Sequence, residues 1–184
     1  QVIKRLDVPD NAGATPSNPI GLAHMEVFFQ SDREQRTQEL YATDLRGNVW
    51  RWDLNGATAS AWPTDGVKIA SVGAPITSSP AIAMNPRDRS ERWVFFGTGR
   101  FLTGDDLSNV DIQSWYGIKD TGTAITSRAA LTQRQVIYYR AALAATPGPP
   151  PTAAQPAVRV FGPAAAGDMV GKSGWYMDLI NPPY

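Results

Sequence analysis

The sequence contains no cysteine and only one histidine. The first absence removes disulfides, thiolate nucleophiles and thiolate metal sites, and it leaves the redox compartment open, because an exported protein need not carry disulfides. The second leaves His24 without a histidine partner for a metal cluster or catalytic pair, so it reads as a hydrogen-bonded or surface side chain in a strand. Charge of one sign is also missing. Lys plus Arg and Asp plus Glu number 17 each, a formal net charge of zero, and bulk charge therefore attracts neither nucleic acid nor an anionic membrane. No apolar run reaches the length of a membrane span. Walker, dinucleotide-binding, glycosidase and nucleophile-elbow patterns are absent as well. Arg51, Arg100 and Arg128 are too scattered to define a nucleic-acid track.

What the sequence has in plenty is punctuation. Its 16 glycines and 15 prolines in 184 residues favour many short strands over long helices, and the length suits one hydrophobic core. The clearest element is residues 39–54, ELYATDLRGNVWRWDL. Leu40, Tyr41 and Ala42 lead in, residues 44–48 turn, and residues 49–54 lead out with Trp50 and Trp52 alternating with Arg51 and Asp53. Alternation gives a strand two opposite faces, and Gly47 before Asn48 supplies the positive φ that a tight hairpin turn needs. This is an antiparallel hairpin.

The same grammar recurs. Residues 80–84 and 93–97 read as strands around a charged turn at 85–91, and residues 114–119 read as a later strand beyond an insertion at 100–113. LYATD and VFFGTG occupy equivalent places, as do VWRWDL and WYGIKD, and a third echo, GWYMDL, appears at residues 174–179. The repeating motif rests on Tyr41, Asp44, Gly47, Asn48, Trp50, Trp52 and Asp53 in the first unit, Gly97, Gly99, Trp115 and Tyr116 in the second, and Trp175 and Tyr176 in the echo. Weak repetition of short strands with glycines and aromatics predicts a radial or sandwich-like all-β fold. Further strands are expected at residues 2–6 and 24–29. Residues 127–145 allow a helix, but the run Val136, Ile137, Tyr138 and Tyr139 favours a strand. Residues 146–156 hold five prolines and read as a surface loop or spacer. The opening QVIKRLDV has neither an initiator Met nor a signal-peptide pattern and is read as strand material from a longer chain.

Chemistry has two candidate places, both for calcium, which needs several oxygen ligands at alternate positions and a glycine for the sharp turn. Gln30, Asp32, Glu34 and Gln38 have part of the spacing but only two carboxylates, with Arg33 and Arg36 among them and no glycine; the competing reading is a charged, solvent-facing turn. Asp105, Asp106, Asn109 and Asp111 form a second acidic cluster, again without the loop glycine. The aromatics, Trp93 included, could make a binding platform. Recurring at equivalent strand positions, they read instead as core and inter-sheet packing.

In their order, YATDLRGNVWRWDL, WVFFGTGRFLTGDDL, SWYGIKD and GWYMDL resemble the C-terminal β-propeller domain of PilY1-like type IV pilus biogenesis proteins, with the likeness running from about Val2 to Leu179. The resemblance implies an all-β, partial or modified β-propeller of short antiparallel strands with long loop insertions, the whole of residues 1–184 forming a fragment of roughly three to four blades. The remaining blades would lie in another part of a longer chain or be completed by another chain. It further implies a non-enzymatic module of an exported protein, placed outside the cell, at its surface or at the pilus tip, after passage through the periplasm. Its partners would be minor pilins or the tip complex, and its roles pilus assembly, anti-retraction and adhesion. Some family members carry a DxDxD-type calcium loop, whose ligand positions fall on Gln30, Asp32, Glu34 and Gln38, so two of the four have lost the acid. No cofactor other than calcium is implied. The competing readings are a quinoprotein-type propeller enzyme fragment and a calcium-stabilised structural module.

Overall fold

The turn after Asp44 sets the first sheet. Gly47 sits at φ +81°, in the left-handed region that side chains with a β-carbon resist, and the chain reverses between β2 (Glu39–Asp44) and β3 (Asn48–Asp53). With β1 (Leu22–Phe28) and β4 (Val67–Ser71) these strands form a four-stranded antiparallel meander in the order β1-β2-β3-β4. The computed structural model describes residues 2–9, 13–15, 19–29, 33, 36–148 and 152–180.

The second sheet is built from β5 (Ala81–Met84), β6 (Arg92–Gly97), β7 (Ser114–Asp120), β8 (Thr132–Arg134) and β11 (Gly174–Asp178), in the order β5-β6-β7-β11-β8. Its pairings are antiparallel except for β11 with β8. Between β8 and β11 runs a two-stranded ribbon of β9 (Val136–Arg140) and β10 (Val158–Phe161). Bridges at Leu143 with Gln155 and Thr146 with Thr152 carry the ribbon outward into the proline-rich segment, whose residues 149–151 lie outside the described ones. Among the described residues there is no α-helix; single 3₁₀ turns occur at Ala59–Ala61, Gly104–Ser108 and Arg128–Ala130. The fold is all-β, made of short strands, and among the described residues the sheets close into no barrel.

Period-two alternation places the core. Tyr41 and Val49 from the first sheet and Val94, Phe96, Tyr116 and Ile118 from the second belong to one buried cluster. Removing side chains such as Val94 and Ile118 from water stabilises the packing by roughly 1.5–3 kcal/mol each. The alternate residues of β2 and β3 point the other way, where Ala42, Trp50, Trp52 and Leu54 form a second cluster with Leu6, Val8 and Trp62 packed on it.

One expectation changes, and one element finds its place. The opening segment forms no strand: Val2 and Ile3 are exposed, and the chain is held instead at Asp7, whose amide donates to the Thr64 carbonyl at 2.7 Å while its own carbonyl accepts from the Gly66 amide at 2.9 Å. The third echo belongs to the second sheet, a placement its sequence did not specify. β11 pairs with β7, Tyr176 opposite Tyr116; a strand read from alternation carries no information about its neighbour. The preference for a strand at Val136–Arg140 agrees with β9.

Candidate interaction surface

Asp44 organises the first hairpin from within. It is fully buried. Its Oδ1 accepts from the amides of Arg46 at 2.9 Å and Asn48 at 2.8 Å, and its Oδ2 from Asn48 Nδ2 at 2.9 Å and Trp50 Nε1 at 2.8 Å. A buried carboxylate needs such a complete set of donors, so Asp44, Asn48 and Trp50 are scaffold. Trp52 is buried beside Trp50, with its indole N–H donating to the Thr64 carbonyl at 3.2 Å. At the end of β3, exposed Asp53 accepts from the amide and side chain of Asn55, and these bonds hold its carboxyl below the usual range.

Across the seam between the sheets lies a network that sequence spacing does not reveal. Tyr41 donates its hydroxyl to Asp120 Oδ2 at 2.9 Å, and Arg51 reaches the same oxygen at 2.9 Å. The Asp120 side chain is 1% exposed. Burial first, and then the neighbouring carboxylates Asp120 and Glu39, push the Tyr41 hydroxyl far above the ordinary tyrosine value, so it stays a neutral donor. Burial works against the Arg51 charge, but Asp120 and the other acceptors around it outweigh that and raise its pKa. A second link joins Arg92 to Glu39 at 3.2 Å, with the guanidinium 4.2 Å from the centre of the Phe28 ring.

On the inner face of the second sheet, Tyr116 stacks between Phe96, 5.1 Å away, and Tyr176, 6.1 Å away. Arg128 closes this stack. It donates to the Tyr116 hydroxyl at 3.0 Å, to Ser114 Oγ at 2.8 Å and to Asp178 at 2.9 Å, and its guanidinium lies 4.5 Å from the Tyr176 ring centre. Burial raises the Tyr116 pKa against the opposing pull of Arg128. The three arginines that looked scattered in the sequence are thus each tied to a carboxylate: Arg51 to Asp120, Arg128 to Asp178 and Arg100 to Asp106.

The outer face of the same sheet is aromatic. Trp93 and Phe95 of β6 stack at 6.0 Å, Phe95 lies 6.3 Å from Trp175 of β11, and Trp115 of β7 stands 54% exposed. Gly117 explains how the rings lie flat, since a β-carbon there would stand 2.6 Å from the Trp175 indole. Two grooves of about 460 and 370 Å³ run over this face. The motif glycines bound it: Gly97 ends β6, and Gly99 bridges to Ile76.

Past Gly99 the insertion exposes Phe101, Leu102, Leu107, Val110 and Ile112, with Leu107 74% and Val110 94% accessible. The segment is nonetheless ordered by Asp106. That carboxylate accepts from the amides of Leu102 and Thr103 at 2.8 and 2.9 Å and from Arg100 at 2.6 Å, and these bonds, the two amides foremost, hold its pKa far below the ordinary carboxylate range. Asn109 and Asp111 bond to one another. Asp106 and Asp111 thus accept hydrogen bonds from their own loop, and among the described residues there is no group of three or more His, Cys, Asp or Glu side chains that could hold a metal ion. Of the other candidate loop, Gln30, Asp32 and Glu34 lie outside the described residues. Gln38 is described, and its backbone pairs with Phe28 and Leu54 at 2.8 and 2.7 Å.

No family model matches the chain. Two curated proteins of Xylella fastidiosa strain Temecula1, each named type IV pilus biogenesis factor PilY1 homolog, are similar to it: one is 32% identical over 148 residues, 79% of this chain, and the other 24% identical over 198 residues, 98% of this chain. The similarity supports a PilY1-like assignment. The chain spans about a tenth of the length of these relatives, 11% and 12%. In fold it is similar to the crystal structure of the Pseudomonas aeruginosa PilY1 C-terminal domain, with a TM-score of 0.72 and 22% identity, over 96% of this chain and 41% of that one. The PilY1-like likeness read from the hairpins and from FFGTGRFLTGDDL is thus matched by comparisons over 79% and 98% of this chain, and the all-β architecture agrees with a partial or modified propeller.

Proposed function

We propose that the chain is a non-catalytic interaction module of a type IV pilus-associated surface protein, and that its inserted loops, rather than a pocket, make the contacts. The observation that carries this reading is the insertion at residues 100–113. It presents five large apolar side chains to solvent on a loop pinned by Asp106, and groups on loops held by a rigid scaffold are well placed to bind. A second presenting element is the β9–β10 ribbon, where Ile137, Tyr138, Val160 and Phe161 are exposed. From Thr121 to Gly167 the sequence has four arginines and no acid.

The kinship with PilY1 homologs supports minor pilins or the pilus-tip complex as partners, and a place outside the cell, at its surface or at the pilus tip, reached through the periplasm. Pilus assembly, anti-retraction and adhesion follow as roles exerted through protein contacts. The test is affinity purification of the full-length protein from an envelope extract. Recovery of a pilin or minor pilin is expected, and its absence would count decisively against the proposal.

A further inference from the structure

The chain is neutral as a whole, but its charges are sorted. From Thr121 to Gly167 every charged side chain is an arginine: Arg128, Arg134, Arg140 and Arg159. Two of them are held within the fold, Arg128 by Asp178 at 2.9 Å and Arg134 by Asp168. The other two stand on neighbouring rungs of the β9–β10 ribbon, with Arg140 opposite Val158 and Arg159 opposite Tyr139. Arg140 donates to the Gln155 side chain and, at 3.4 Å, to the Pro156 carbonyl, and the Arg159 guanidinium lies 5.5 Å from the Tyr139 ring centre. Between these two arginines, residues 141–158 carry no charged side chain.

The ribbon is also uncovered on both sides. Val160 and Phe161 follow one another along β10, so they face opposite ways, and they are 42% and 52% exposed. Ile137 and Tyr138 on β9 are exposed as well. A lone two-stranded ribbon is marginal in water, and a protein partner laid against it covers one face and leaves the other wet. A bilayer interface surrounds both. The composition fits that medium: tyrosines settle at the headgroup level, and an arginine stem lies along apolar surface while its guanidinium reaches phosphate. The backbone beyond the arginines brings its own hydrogen bonds, Leu143 with Gln155 at 2.9 Å and Thr146 with Thr152 at 3.2 Å, each in both directions, which lowers the cost of leaving water. The insertion at residues 100–113 is apolar too, but it sets Asp105, Asp106 and Asp111 against Arg100 alone, a balance that an anionic surface repels.

We propose that the β9–β10 ribbon, with the bridged residues up to Thr146 and Thr152, is a membrane-surface hairpin. It enters the headgroup region of an anionic bilayer, with its uncharged end toward the acyl boundary and Arg140 and Arg159 against lipid phosphates. The contact is peripheral, because open strand edges are excluded from the hydrocarbon core. It goes beyond the functional reading above, which rests on the insertion and asks only for protein contacts.

The test sediments the full-length protein with vesicles of phosphatidylethanolamine and phosphatidylglycerol, and separately with vesicles of phosphatidylcholine. Binding to the anionic vesicles is expected, weakening as salt rises. Arg140→Gln/Arg159→Gln should bind at least about tenfold more weakly, as should Tyr138→Ser/Phe161→Ser, whereas Arg140→Lys/Arg159→Lys keeps both charges and should stay within about twofold of the wild type. Hydrogen exchange of the unsubstituted protein needs no variant to fold: anionic vesicles should slow the amides of residues 137–148 and 152–161. The proposal is overturned by no binding to anionic vesicles, by equally strong binding to phosphatidylcholine, by undiminished binding of the Gln and Ser variants, or by protection confined to other segments. A loss of co-purified pilin in the ribbon variants with no change on vesicles would give the ribbon to a protein partner and overturn it too. Vesicle binding through the ribbon with no pilin recovered would leave the hairpin standing and remove the functional reading.

Discussion

Asp44 and Asp120 are both buried carboxylates, and they do different things. Asp44 serves residues within six positions of itself, so its role is visible from the local pattern D-L-R-G-N-V-W. Replacing it with alanine leaves the Asn48 and Trp50 donors unpaired in the interior. A loss of about 3 kcal/mol or more is expected, measured by urea unfolding followed through tryptophan fluorescence. Trp50→Phe, which removes one donor and keeps most of the ring, should cost appreciably less. Asp120 receives Tyr41 from 79 positions away and Arg51 from 69. No spacing rule links such residues, and that is why the seam network escapes a reading of the sequence. The same limit applies to Arg128, whose partners Ser114, Tyr116 and Asp178 come from two strands brought together only by the sheet.

Among the elements, strands marked by alternation and flanked by turn residues were legible: β2 and β3, β6 and β7, and the β-branched run of β9. Pairing was not. GWYMDL echoes the earlier aromatic strands, but nothing in it says that it joins the second sheet beside β7, because each strand advertises its faces and not its neighbour. The acidic insertion was legible as a loop, but the role of Asp106 within it was not, since D-D-L-S-N-V-D shows ligand-rich composition and not that Asp106 accepts from Leu102, Thr103 and Arg100. That arrangement has a pH consequence. A carboxylate whose folded pKa lies below its unfolded value contributes order that is complete above the ordinary carboxylate range, about pH 4, and is lost as pH falls through the folded value. Hydrogen exchange of peptides spanning residues 100–109, corrected for the intrinsic pH dependence, should therefore be slow at pH 7, begin to rise only below about pH 4, and rise markedly only as the pH falls well below 3. Asp106→Asn should be fast across the whole range.

For the whole molecule, two sheets share one buried interface and are tied by charge pairs at its rim, Arg51 with Asp120 and Arg92 with Glu39. Such a scaffold holds the insertion and the β9–β10 ribbon in fixed places while their sequences remain free to suit a partner. The scaffold was readable because its repeats are short and local. The partner was not, because an exposed Leu or Val on a loop has no pattern that names what it meets. The most direct test of loop-borne recognition compares full-length wild-type protein with a Leu107→Ser/Val110→Ser variant. Both positions are exposed, so the fold should be unaffected. Pilin or minor pilin co-purified from envelope extracts would be quantified by mass spectrometry. The account predicts recovery with the wild type and a fall of about tenfold with the variant, the effect of losing roughly 1.4 kcal/mol of contact energy. Equal recovery from both proteins, or none from the wild type, would contradict it.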